Sequence, residues 1–203
     1  MKLILIFYCV YYFFIYFLSG VMAQCPVILN FNSLPTLATM LFFILLNLGV
    51  AAIFYHKLKA PVSAPFKSGL FVCRFAAALA LLYLIAFLIN LIPVGPANSV
   101  IYTPPQTPFL ILLTLSLCLG TGYSEELFFR AVPALYTSFK INTPGLLLPL
   151  LLFAAAHAYA GFKAMFAALL QGAVLSACYF RYKNIHLNAL VHAFYNFSVL
   201  LLT

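Results

Sequence analysis

Long, uninterrupted apolar runs are what most constrain this chain: several approach or exceed the twenty or so residues that a helix needs to cross a hydrocarbon core about 30 Å thick. Backbone polar groups inside lipid must be satisfied within their own segment or in a closed barrel. The runs here are continuous rather than alternating, which selects helices over barrel strands. The expected fold class is therefore all-α, a polytopic membrane helical bundle. Pro, Gly and basic residues divide it into about seven spans, roughly 3–23, 35–55, 71–92, 108–129, 145–160, 162–180 and 185–202. No internal repeat, low-complexity linker or soluble domain interrupts them, so the chain reads as a single membrane domain.

With the amino terminus in the cytoplasm, Lys2, Lys57, Lys59, Lys67, Arg74, Arg130, Lys140, Arg181 and Lys183 fall at cytoplasmic ends, and Lys163 alone falls outside. This bias sets the orientation. The net charge of +8 comes from single basic residues beside apolar runs, a pattern of topology signals and anionic-lipid contacts rather than of nucleic-acid binding. The first span reads as a retained signal anchor. Val21-Met22-Ala23 before Gln24 gives cleavage as the alternative. The five cysteines, Cys9, Cys25, Cys73, Cys118 and Cys178, show no metal or redox spacing and read as small apolar residues.

Only two residues of 203 are acidic, and they are adjacent: Glu125 and Glu126, within Ser124-Glu125-Glu126-Leu127-Phe128-Phe129-Arg130 near the end of the fourth span. A carboxylate at that depth costs about 2.5–3.5 kcal/mol on insertion scales, so the pair must be offset by something the protein gains. On a helix, Glu126 and Arg130 share a face, whereas Glu125 points about 100° away. Glu126 is thus expected to pair with Arg130 as a support, leaving Glu125 to face a polar cavity as a general base. A helix-end ion pair with Arg130 snorkelling to the interface is the bland alternative.

His157 and His192 are intramembrane polar groups in the fifth and seventh spans, within Phe153-Ala154-Ala155-Ala156-His157 and His192-Ala193-Phe194-Tyr195-Asn196. His56 and His186 flank apolar runs and are given no role. Neutral imidazole can move a proton, orient a water or ligate a metal. Asn196, one turn beyond His192, places an amide on the same helix face, suited to an oxyanion. Interhelical hydrogen bonding is its structural alternative, as for Asn47, Asn90 and Gln171.

Taken in order, Glu125-Glu126-x-x-x-Arg130, Phe153-x-x-x-His157 and His192-x-x-x-Asn196 resemble the EExxxR, FxxxH and HxxxN elements of the intramembrane CAAX-processing and bacteriocin-processing (CPBP, or Abi) proteases. The resemblance covers roughly residues 108–202. Residues 1–107 then read as amino-terminal transmembrane helices and 108–203 as the CPBP-like catalytic core. Ala131 stands where many relatives have glycine. The resemblance implies an intramembrane endopeptidase in which Glu125 and His157 activate water, His192 and Asn196 stabilise the oxyanion, and Glu126 and Arg130 support the site. The implied partners are the lipid bilayer and a membrane-tethered peptide or protein: a prenylated tail, a bacteriocin leader or a sorting signal. In a bacterium the location would be the plasma (inner) membrane.

No cofactor is favoured, because the HExxH signature of many zinc hydrolases is absent. Zinc is the alternative, with Glu125, His157 and His192 as its ligands. The rival functions are a proton-coupled membrane transporter, which should show inverted repeats with broken helices, and a noncatalytic membrane scaffold. Depth poses a problem for the catalytic reading. Straight, upright spans separate Glu125 from His157 by about 15 Å. A shared site requires a tilted or recessed fifth span, or a deeper fourth.

Overall fold

The computed structural model of the chain describes residues 28–30, 33–58, 68–93, 101–131, 133–134 and 143–202. Helices dominate, as the apolar runs require: α1 (Leu34–Leu58), α2 (Ser68–Asn90), α3 (Pro108–Glu126), α4 (Thr143–Ala156), α5 (Phe162–Tyr182) and α6 (Ile185–Leu202). A short addition that the sequence does not announce is a parallel pair of three-residue strands, β1 (Ile28–Asn30) and β2 (Ile101–Thr103), with Ile28 opposite Ile101.

Among the described residues, four segments are long and apolar enough to cross a membrane: Gly69–Asn90, Pro108–Ala131, Phe162–Tyr182 and Ile185–Leu202. These coincide closely with the third, fourth, sixth and seventh expected spans, and α1 covers the second. The first span, 3–23, and the question of its cleavage lie outside the described residues, as do Cys9 and Cys25. The count of seven and the cytoplasmic amino terminus rest on sequence alone. The fifth span is different in kind. Helix α4 has 14 residues, about 21 Å at 1.5 Å per residue, and falls short of a full crossing.

The surface is inverted relative to that of a water-soluble protein. Val72, Phe87, Phe109, Leu112 and Leu148 point outward, while Glu125, Glu126, Arg130, Asn188 and His192 are buried. Lipid solvates the former, and the latter can exist inside only by satisfying one another. Apolar contacts join the helices around this polar centre. Leu37 and Ile44 of α1 pack with Leu110 and Leu117 of α3, and Ala78 and Leu82 of α2 pack with Leu175 of α5 and with Leu187 and Val191 of α6.

Two local devices place the site. Helix α3 begins where Thr107, extended at φ −115° and ψ 151°, accepts a hydrogen bond from the Leu110 amide, with Pro108 in the first turn. It ends in a widened π-helical turn over Leu127–Ala131, shortly before Pro133, which has no amide hydrogen to continue an α ladder. Between α5 and α6 the reversal is tight. Lys183 adopts the left-handed conformation and donates its amide to Tyr179 O, and the Asn184 side chain caps the next helix by accepting from the Leu187 amide at 3.0 Å.

Candidate active site

The site begins with the crossing of α3 and α6. A Cβ built on Gly122 would lie 2.5 Å from the Ala189 carbonyl oxygen and 3.2 Å from the Ala193 Cβ. Glycine here, with alanines opposite, lets the two backbones approach more closely than larger residues would permit. Because Glu125 and Glu126 lie one turn beyond Gly122, and His192 precedes Ala193, this approach brings the acids against the imidazole.

Glu126 is the hub. Arg130 Nη1 donates to Oε1 at 2.9 Å, Asn188 Nδ2 donates to Oε2 at 3.1 Å, and His192 Nδ1 lies 2.9 Å from Oε1. All four side chains are buried. A carboxylate already accepting from a guanidinium and an amide is best satisfied in its ionised form, so the third contact assigns the proton to His192 Nδ1. The other ring nitrogen, Nε2, then faces Glu125, whose Oε2 is 3.7 Å away. The expected Glu126–Arg130 pair is present, and its role is wider than the i,i+4 spacing indicates. Glu125 is buried beside His192.

Asn188 is the residue that sequence reasoning missed. It lies four positions before His192, so Asn188, His192 and Asn196 form one polar stripe along α6, a signal visible in the sequence. Its amide nitrogen also donates to Leu175 O at 2.6 Å, which ties α6 to α5. Arg130 makes a similar link through Nη2 to Gly172 O at 3.3 Å.

His157 closes α4 and leads into a single 3₁₀ turn, Ala158–Ala160. Its Nδ1 lies 2.8 Å from Phe153 O, so a neutral ring donates there and turns Nε2 outward. The Phe153 ring connects His157 to the rest of the site. It lies 4.8 Å from the His157 ring and 5.9 Å from the His192 ring, centroid to centroid, with the Arg130 guanidinium 4.3 Å above it. His157 is within electrostatic range of Glu125, His192 and Arg130. The short α4 packs against α5 where Gly172 leaves room for Phe153 and Leu150. Asn196 is half-buried one turn beyond His192. Among the described residues, the hydrogen bonds that hold Glu126 and His192 do not include it.

Glu125, His157 and His192 are the donors a zinc ion would need. Among the described residues no three His, Cys, Asp or Glu side chains converge as a metal cluster. The described cysteines, Cys73, Cys118 and Cys178, are free thiols outside the cluster.

No curated protein and no solved structure matches the chain. One family model does, described as type II CAAX prenyl endopeptidase Rce1-like, over residues 107–198, and it does not favour the transporter or scaffold readings. That stretch contains all three motifs and every side chain of the buried cluster, and over it this integral membrane protein is similar to the CAAX-protease family.

Proposed function

We propose that the chain is an intramembrane endopeptidase of glutamate type, which hydrolyses a peptide bond in a membrane-tethered peptide or protein. The observation that carries this reading is the fixed orientation of His192: Glu126, itself held by Arg130 and Asn188, takes Nδ1, and Nε2 is presented 3.7 Å from Glu125. With Nδ1 committed, His192 has a proton to donate from Nε2 only as imidazolium.

In this scheme Glu125, assisted by His157, takes a proton from water as its oxygen bonds to the scissile carbonyl carbon. The carbonyl oxygen becomes an oxyanion. His192 Nε2–H and the Asn196 amide donate to it. Collapse of the intermediate restores the carbonyl and breaks the C–N bond, and the proton held by Glu125 passes to the leaving amine. Substrate enters from the bilayer, which suits a protease whose site lies among membrane helices. A carboxyl-terminal tail, a leader peptide and a sorting signal all meet that requirement.

The test compares the membrane proteomes of cells producing the native protein and the Glu125→Ala variant. One or more membrane proteins should change length, by the loss of cleavage. Normal processing of every such protein in the variant sinks the assignment.

A further inference from the structure

The hydrogen bonds of the Glu126 hub reach along α6 only as far as His192. Asn196 lies a full turn farther on, and the oxyanion role requires its amide to be held in place. A second group of polar side chains, outside the hub, surrounds that stretch of helix. Gln171 of α5 donates through Nε2 to Leu82 O of α2 at 3.4 Å, and its side chain is within hydrogen-bonding reach of the Tyr195 side chain on α6. The Tyr195 ring lies 5.5 Å from the Tyr83 ring of α2, centroid to centroid. The Tyr83 hydroxyl bonds the Ser198 hydroxyl, and Ser198 Oγ donates to Tyr195 O at 2.8 Å. These contacts close a loop through Leu82 and Tyr83 on α2, Gln171 on α5, and Tyr195 and Ser198 on α6.

Polar groups within apolar spans bond across helices because lipid offers them no other partner. The placement of this loop on α6 gives it a further consequence. Tyr195 and Ser198 are three residues apart and share a face of α6 with Val191, which clusters with Ala78, Leu82 and Leu175. Asn188, His192 and Asn196 occupy the neighbouring face, about 100° around the helix. Two attachments one turn apart on the first face fix the rotation and the axial position of the second. An atom at the outer radius of a helix, about 5–6 Å from its axis, moves about 2 Å for a rotation of roughly 20°. A misplacement of about 1 Å can cost on the order of 100-fold in rate.

We infer that Gln171, Tyr83 and Ser198 are positioning residues, which act through Tyr195 to aim the Asn196 amide at the oxyanion. The inference rests on the protease reading above. Gln171 directly precedes Gly172, whose carbonyl accepts from Arg130, so one turn of α5 braces both the Glu126 hub and the Asn196 end of α6.

The experiment uses the purified full-length protein in liposomes, with a membrane protein whose cleavage stops in the Glu125→Ala strain as substrate. Four forms are compared: native, Gln171→Leu, Asn196→Ala and the double variant. Gln171→Leu should lower kcat about 10–100-fold with KM unchanged. In the Asn196→Ala background the same substitution should change kcat by less than about twofold, since no amide remains to be aimed. Tyr83→Phe keeps the ring and should lower kcat about fivefold, the equivalent of one neutral hydrogen bond. It too should lose its effect without Asn196, and it carries the test even if Gln171→Leu fails to fold. An equal fall in kcat in both backgrounds assigns the loop to structure alone and overturns the inference, as does native turnover in both Gln171→Leu and Tyr83→Phe. Undiminished cleavage by Glu125→Ala in the same liposomes overturns the protease reading itself, and the positioning role with it.

Discussion

Replacing Asn188 with leucine tests the central arrangement without touching a group assigned to catalysis. The change nearly preserves volume and removes two hydrogen bonds, one to the Glu126 carboxylate at 3.1 Å and one to Leu175 O at 2.6 Å. A bond to a charged group contributes about 1.5–3 kcal/mol and a neutral one about 1 kcal/mol. The substitution also removes Asn188 Oδ1, which is buried without a hydrogen-bond partner among the described residues, and this returns about 1 kcal/mol. The net loss expected is about 1.5–3 kcal/mol of stability. Circular dichroism during urea or thermal unfolding in detergent measures it without needing a substrate. Because Glu126 then loses one of the donors that fix it, turnover should fall about 10–100-fold, the usual cost of removing an outer partner of a site histidine, with KM little changed. Asn188→Asp is the sharper variant. It sets a second carboxyl against an ionised one and should lower turnover further than leucine does. If Asn188→Asp matches the native protein in both stability and turnover, the ionised Glu126 hub is wrong.

Two further outcomes follow from the same geometry. Gly122→Ala introduces a methyl 2.5 Å from the Ala189 carbonyl oxygen, so α3 and α6 must separate. A loss of about 1–3 kcal/mol is expected, accompanied by reduced crosslinking between cysteines placed on the two helices; native stability would mean that the crossing is looser than the structure has it. For the metal question, elemental analysis of purified protein should find no stoichiometric zinc, and a chelator should leave cleavage unchanged. Stoichiometric zinc whose removal abolishes activity would replace the glutamate-type reading with a metal-dependent one.

Much of this architecture is legible in the residue order, because membrane helices are specified by local hydrophobicity and a helix brings together residues three and four apart. That is enough to place α2, α3, α5 and α6 within a few residues, to pair Glu126 with Arg130, and to see Asn188, His192 and Asn196 as one stripe. The order of the three motifs likewise suffices to recognise the family over residues 107–198.

Helical periodicity says nothing about which face of one helix meets another, and the site depends on that. Asn188 and His192 reach Glu126 from 62 and 66 residues away. They do so because Gly122 admits α6, just as Gly172 admits Phe153 and Arg130. In the sequence these glycines look like any others in apolar helices. The shortness of α4 is also a tertiary outcome. Its residues are apolar enough to span, yet the helix is 14 residues long and ends where His157 can turn in toward Phe153. Glu125 and Glu126 are conspicuous from composition alone, but the division of work between them comes from α6, whose histidine bonds one and faces the other.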